Sequence, residues 1–306
     1  MSIVILGIFV ADTVFRADRL PKMGETLLGQ GFFLGPGGKG SNQAVAAARA
    51  GGQVQFLTRL GTDAFAGIAR DIWGRAGVQA VVREDPDSYT GAAFIFLQQG
   101  SGQNAIIVSP GAAGRIDTAD VEAEAARIAG ARVFVTQLEQ PLPPAARALE
   151  IARAGGALTI LNPAPAADLP DAVLALCDLV TPNETEAEAL TGLAVTGPDS
   201  AAAAAAALIA RGARAAVVTL GAQGALYRDG TGRVLHVPAL SAGPLVDTTG
   251  AGDAFNGGLA VALAEGRPIE AALRFATATA ALKVTRLGTA GAMPARDEID
   301  ALLTRG

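Results

Sequence analysis

A chain of 306 residues, half of them apolar and with Ala and Gly abundant, can bury a sizeable core in one large α/β domain or two smaller ones, and its composition excludes disorder. A net charge of −5 with a pI near 5 argues against nucleic acid or an anionic membrane as the main partner, so a chain of this kind that handled phosphate would have to concentrate its positive charge locally. Cys177 and His236 each stand alone, which excludes an intramolecular disulfide, a Cys-based metal cluster and His-rich zinc arrangements and leaves no obvious Ser-His-Asp set.

Met1 to Val10 is apolar but carries no basic leader, and no uncharged apolar run approaches the roughly 20 residues that span a bilayer, so a soluble, cytoplasmic protein is expected. Ser2 to Val10 reads as a buried parallel strand that delivers Asp12 at its carboxyl end, where open α/β sheets bind ligands. Glu25 to Leu34 reads as a small exposed strand pair. A glycine cluster, Gly35 to Gly40, then leads to an Ala-rich helix over Val45 to Ala50. Gly35, Gly37 and Gly40 formally match the dinucleotide fingerprint, but Pro36 interrupts it and no acidic residue follows at the right distance. Nor is it a Walker loop, because Lys39 is followed by Gly40. What remains is a close-approach backbone with Lys39 and Asn42 suited to hydroxyls or a phosphate, or else a helix-opening turn with a solvated lysine.

Strand Val54 to Leu60, helix Phe65 to Ala76 and strand Val78 to Arg83 precede a hairpin of Gly91 to Gln98 with Asn104 to Ser109 across Gly100-Ser101-Gly102. Helix Thr118 to Ala129, strand Ala131 to Thr136, helix Pro144 to Ala154 and strand Ala157 to Leu161 then alternate as βαβ units of a parallel sheet. Glu139 and Asn162 fall just past two of those strand ends. A helix with an acidic first turn follows Pro182, and on it Asn183 and Glu186 share a face. They suit a hydrated Mg²⁺, while compensation of the helix dipole accounts for the acids equally well. Ser200 to Arg211 is a helix, Ala215 to Leu220 a strand, and Gly224 to Val237 two short antiparallel strands.

Asp247-Thr248-Thr249-Gly250-Ala251-Gly252-Asp253 organises the rest. Gly250 to Gly252 should form the loop that opens a helix, and unpaired amides at such an end favour an anion. Asp253 in the first turn, beside that anion, is placed to take a proton from an attacking hydroxyl, which reads as phosphoryl transfer to an alcohol. The plain alternative is a Gly-rich turn whose Asp caps a helix. Helices over Pro268 to Val284 and Arg296 to Leu303 close the chain. With no linker and no repeat, one domain spanning 1–306 is expected, with lid segments near 14–36 and 89–109 inserted in it.

Gly37-Gly38-Lys39-Gly40-Ser41-Asn42-Gln43 together with Asp247 to Asp253 resembles the two signatures of the ribokinase (PfkB) sugar-kinase family, and Leu161 to Pro165, Thr181 to Glu186, Thr219 to Gly221 and Val284 to Arg286 fall in the family's order. The resemblance covers nearly the whole chain. It implies an α/β fold whose central, mainly parallel sheet is flanked by helices and carries a small inserted β lid, with paired lids making a homodimer. It implies ATP and a small sugar as substrates, an anion hole at Gly250, Ala251 and Gly252, and Asp253 as base. Asp12, Gly38, Lys39, Asn42 and Glu139 would touch the sugar, beside Val10. Asn183 and Glu186 would organise Mg²⁺ through water, and Asn183, Thr219, Gly221, Gly252 and Thr277 would lie along the nucleotide. Asp247 and Thr249, with backbone carbonyls at Lys283, Arg286 and Gly288, would hold a monovalent cation such as K⁺.

Two departures stand out. Val10 replaces an asparagine, removing one polar contact to the sugar, and Ala292 replaces a serine ligand, so K⁺ activation is expected to be weak. The expected reaction is ATP-dependent phosphorylation of a primary hydroxyl, with ribose first. A ketohexose, a 2-keto-3-deoxy sugar acid or a nucleoside are the alternatives within the class. Outside it stand a non-catalytic sugar-binding sensor and a nicotinamide oxidoreductase, the latter resting only on Gly35 to Gly40.

Overall fold

The apolar run that opens the chain makes two strands in different sheets. Ser2–Leu6 (β1) lies in a parallel sheet, and Val10–Ala17 (β2) belongs to another. The break falls at Gly7, where a Cβ would stand 2.8 Å from the Cα of Gly40 and 2.4 Å from the Gln137 side chain. Asp12 is therefore the third residue of β2 and does not sit at the end of a central strand, as the sequence suggested.

The computed structural model describes residues 2–100 and 103–305. The remaining strands are Gly31–Gly37 (β3), Gln53–Leu60 (β4), Gln79–Glu84 (β5), Thr90–Gln98 (β6), Asn104–Gly111 (β7), Val133–Thr136 (β8), Leu158–Leu161 (β9), Leu179–Val180 (β10), Ala215–Thr219 (β11), Ala225–Asp229 (β12) and Val234–Val237 (β13). The helices are Lys39–Arg49 (α1), Ala64–Ala76 (α2), Thr118–Ala123 (α3), Ala125–Ala129 (α4), Leu142–Ala154 (α5), Asp171–Leu174 (α6), Glu184–Thr191 (α7), Pro198–Ala210 (α8), Ala251–Ala264 (α9), Ile269–Lys283 (α10) and Arg296–Arg305 (α11). Nine strands form the large sheet in the order β13-β12-β11-β10-β9-β8-β1-β4-β5, parallel from β11 to β5 and antiparallel at the β12–β13 edge. The second sheet has the order β3-β2-β6-β7, with β2 and β6 parallel. Its strands overlap the segments 14–36 and 89–109.

Alternation along the strands builds a core on each face of the large sheet. Ile3 and Ile5 of β1 join Phe56, Val135 and Val217 in one apolar cluster, where α1, α9 and α10 pack. Val4 and Leu6 join Leu57, Phe134 and Val218 in the other, against Leu149 of α5 and Leu208 of α8. Each such Leu or Ile contributes about 1.5–3 kcal/mol by burial. Helix α9 is buried almost all round, which its small residues permit. A Cβ at Gly257 would lie 2.6 Å from the Cβ of Ala46 and 2.8 Å from the nitrogen of Ala47, so α1 and α9 touch backbone to side chain.

Three local expectations are corrected. Residues 25–29 are irregular, and β3 pairs antiparallel with β2 instead of forming its own hairpin. Helix α1 begins at Lys39, directly after the glycine cluster, well ahead of Val45. The helix expected over Thr118 to Ala129 breaks at Glu124, whose φ of −108° leaves the helical range. The hairpin strands β6 and β7 pair as expected, while Ser101 and Gly102 of its turn lie outside the described residues. Among the described residues no helix is long and apolar enough to cross a membrane.

Candidate active site

The site is built where the amino ends of α1 and α9 meet. Gly250 is the N-cap of α9, and its φ of 77° is a left-handed conformation that side chains other than glycine adopt at a cost. That cap turns the chain so that Ala251, Gly252 and Asp253 form the first helical positions. The Ala251 amide donates to the Thr248 carbonyl at 3.0 Å, whereas the Gly252 and Asp253 amides meet no backbone acceptor among the described residues. A Cβ added to Gly252 would find nothing within 4 Å, so the first turn of α9 is open on that side. Unpaired amides, positive dipole end and open space together make an anion cradle.

Asp253 is buried behind this cradle. Asn42 of α1 donates to its Oδ2 at 3.0 Å and Gln43 to its Oδ1 at 3.1 Å. Burial raises its pKa, against the opposing pull of the Lys39 ammonium, the two side-chain amides and the Lys283 ammonium. The Oδ1 of Asn42 is buried with no partner, a free acceptor beside the carboxylate.

Around Asp253 stand further ionisable groups from separate elements. Glu139, just past β8, accepts the Lys39 amide at 2.7 Å, and burial pushes its carboxyl up to about 7 despite the Lys39 charge. Asp12 on β2 is raised to about 6, first by burial and then by the Asp253 charge. Burial pulls the Lys39 ammonium down, but Asp253, Glu139 and Glu186 outweigh it and leave its pKa raised. Three carboxylates thus act on one lysine, with Asp12 beside two of them, a set rich in acceptors for hydroxyl donors and poor in positive charge for a phosphoryl group apart from Lys39 and the amide cradle.

Asn183 and Glu186 form a reciprocal capping box on α7: the Glu186 amide donates to Asn183 Oδ1 at 2.8 Å, and the Asn183 amide to Glu186 Oε2 at 2.9 Å. Capping therefore accounts for part of this pair, an explanation distinct from both metal binding and dipole compensation. Glu186 Oε1 stays outside the box, and the charges of Lys39 and Asp253 act on that carboxyl, which burial raises. One free carboxylate oxygen facing the site fits a divalent ion that keeps most of its waters. Among the described residues no group of three or more His, Cys, Asp or Glu could hold a metal. Thr219 ends β11 and bridges to Asn183, with Gly221 two residues on. Thr277 on α10 is buried with an unpartnered Oγ1.

Asp247 anchors the loop before Gly250. Its Oδ1 accepts the Thr249 amide and its Oδ2 the Gly288 amide, both at 2.9 Å, and its carbonyl accepts Lys283 Nζ at 2.8 Å. Burial would raise the Asp247 pKa, but these amides and the Lys283 charge hold it below the ordinary value. The Arg286 side chain is committed to Glu298, and Ala292 lies buried in a short 3₁₀ turn. Val10 is packed in the apolar cluster with Ile8, Leu57 and Ala93. Gly38 caps α1 ahead of Lys39.

The sequence reading missed the buried amides behind the carboxylate. Gln137 donates to Gln43 at 2.7 Å and Gln43 also donates to Asn162 at 3.0 Å, so one network fixes Gln43 against Asp253. Thr181 donates to Asn256 at 2.6 Å, and Asn256 to the Gly252 carbonyl at 2.9 Å, which pins the cradle from behind. Gln43 stood inside the quoted signature and Asn162 at a strand end; buried amides at strand ends were the available signal. A cavity of about 360 Å³ lies elsewhere, beside β4 and β5, but its Arg59 is spent on Asp117 at 2.9 Å and Asp120 at 2.6 Å.

Residues 1–296 match the pfkB family of carbohydrate kinases. The chain is 38% identical over 299 residues to a ribokinase of Haemophilus influenzae, covering 97% of this chain and 96% of that one. It is 36% identical to a deoxyribokinase of Salmonella typhi, covering 99% of each. The solved structure of Arabidopsis thaliana ribokinase complexed with ribose and ATP superposes with a TM-score of 0.92 at 32% identity, over 98% of each chain. The chain belongs to the pfkB family of carbohydrate kinases and is a sugar kinase, a phosphotransferase.

Proposed function

We propose that this kinase transfers the γ-phosphoryl group of ATP to the primary hydroxyl of ribose, giving ribose 5-phosphate and ADP. The observation that carries the reading is Asp253, a buried carboxylate held by Asn42 and Gln43 directly behind the free amides of α9. The full-length similarity to ribokinases supports ribose as the acceptor.

Asp12, Glu139, Asn42 and Lys39 hold the sugar hydroxyls, with Gly38 giving backbone access and Val10 forming an apolar wall. Asp253 takes the proton of the attacking hydroxyl as its oxygen bonds to the γ-phosphorus and the bond from that phosphorus to the bridging oxygen breaks. The amides around Gly250, Ala251 and Gly252 hold the charge that gathers on the transferred group. Asn183, Thr219, Gly221, Gly252 and Thr277 line the nucleotide, the Thr277 hydroxyl being free to bond it. Mg²⁺ entering with ATP would be held through water by Glu186 and Asn183 and would neutralise phosphate charge. The four-stranded sheet closes over the sugar as a lid of a single domain, 1–306, and pairs with that of a second copy.

The apolar setting of Val10 favours a second reading, a sugar that lacks a hydroxyl facing it, such as deoxyribose. A hydroxyl facing valine forfeits a hydrogen bond worth about 0.5–1.5 kcal/mol. ADP release measured with ribose, deoxyribose, ketohexoses and nucleosides tests both readings. Ribose should give the highest kcat/KM, and Val10→Asn should raise ribose relative to deoxyribose. Release with none of these sugars would sink the proposal, and a ranking unmoved by Val10→Asn would remove the second reading.

A further inference from the structure

The chain has only three lysines, and two of them, Lys22 and Lys39, are at least partly exposed. The third, Lys283, is 0% exposed. A lysine goes fully inside only with a partner for its charge. Lys283 ends α10, where a cation suits the dipole, yet its side chain does not run out to water. Its Nζ donates to the Asp247 carbonyl at 2.8 Å and lies 4.0 Å from Asp247 Oδ2.

The surroundings are those of a cation site. The Val284 carbonyl takes the amides of Val246 and Asp247 at 2.8 and 3.1 Å, which folds the end of α10 against the loop leading to Gly250. The Asp247 carboxylate is held in turn by Thr249 and Gly288. Carbonyl and carboxylate oxygens of one residue thus converge on a single positive charge beneath the anion cradle. The carbonyl of Lys283, expected to ligate an alkali ion, instead accepts the Arg286 amide at 3.0 Å. An ammonium and a potassium ion ask for the same things, one positive charge and a shell of oxygens, and two like charges at one carbonyl repel. The residues at this loop therefore do not fit a separate monovalent ion.

We propose that the Lys283 ammonium is the built-in monovalent cation of this kinase, holding the Asp247 to Gly250 loop in place and offsetting negative charge behind the cradle, so that no alkali ion binds there. The inference rests on the kinase reading for its activity assay but not for its binding assay. Lys283 is a positioning residue: it touches the loop and not the substrate.

The test compares wild type with Lys283→Ala and the isosteric Lys283→Met. Crystals of each are soaked in Tl⁺, a K⁺ substitute located by its anomalous scattering, and ADP release with ribose is followed in KCl and in choline chloride at equal ionic strength. Wild type should show no Tl⁺ at Asp247 and rates that agree within about two-fold in the two salts, since the charge term is already present. Lys283→Ala should lose about 10-fold to 100-fold in kcat in choline, the scale of one electrostatic contact, and recover saturably with K⁺ as Tl⁺ appears beside the Asp247 carbonyl. Tl⁺ at Asp247 in wild type, a large saturable K⁺ activation of wild type, or a Lys283→Ala defect that K⁺ does not rescue would each overturn it. If neither variant folds, the wild-type soak and salt comparison decide. No turnover with any sugar in either salt would strike the kinase reading alone, and the Tl⁺ soak would still judge the cation.

Discussion

Asp253 is a carboxylate under opposing pressures. Burial raises its pKa and so makes it a better proton acceptor, while Lys39, Asn42, Gln43 and Lys283 keep the ionised form within reach. Asp253→Asn keeps the shape and removes the acceptor, so kcat should fall by roughly 10²-fold to 10⁴-fold with sugar and ATP affinity nearly unchanged. Stopped assays beside equilibrium binding check this, and near wild-type turnover would show that Asp253 is not the base. The acids proposed to face the sugar give a pH signature. Glu139 at about 7 and Asp12 at about 6 must be ionised to accept sugar hydroxyls, so kcat/KM for the sugar should fall as pH drops through 7 and again through 6. Glu139→Gln should remove the upper step, and a profile level across that range would show that neither acid meets the sugar. Stability runs the opposite way for Glu139: its pKa is raised in the fold, so its contribution is complete below the ordinary 4.5 and is lost as pH rises through about 7. Asp253 and Glu139 were legible because a helix start and a strand end could be read from pattern, whereas the strand end expected at Asp12 proved to be the third position of β2. Gln137, Gln43 and Asn162 were not, since a buried amide earns its role only from partners 94 and 119 residues away.

Between elements, the decisive contact is α1 on α9. Gly257→Val would drive a side chain into Ala46 and Ala47, and overpacking of this kind costs about 1–3 kcal/mol. The same push moves Asn42 and Gln43 off Asp253, so the variant should melt earlier and lose kcat together. A variant with normal melting and full activity would show that the helices have room to spare. Strand and helix order along the parallel sheet followed from periodicity, as did the βαβ reading from β8 to β9. The split of β1 from β2 did not, because what ends β1 is the approach of Gly7 to Gly40 and Gln137, residues distant in sequence. The break at Glu124 was equally hidden, for nothing in Thr118 to Ala129 contradicts a continuous helix.

For the whole molecule, the second sheet leaves an apolar face uncovered. Phe15 stacks on Phe32 and Phe94 with ring centroids 5.1 and 5.7 Å apart, and Phe32 and Ile107 remain 61% and 68% exposed. A contiguous apolar patch rimmed by polar residues marks an interface, which supports pairing of two copies through their lids. Sedimentation should find a dimer, and Ile107→Asp should shift it to monomer; a monomeric wild type at micromolar concentration would refute the pairing.

All the strands of both sheets precede residue 238, and the chain beyond it contributes α9, α10 and α11. Asn42 and Asp253, which share a hydrogen bond, are separated by 211 positions. During synthesis the side chains proposed to hold the sugar therefore emerge long before Asp253 does, and the face that α1 shares with α9 and α10 stays only partly covered until those last helices arrive. A nascent or truncated chain ending before Asp247 has every strand and yet lacks the proposed proton acceptor, so such fragments should bury part of a core without transferring phosphate, and the proposed catalytic centre is completed only after both sheets.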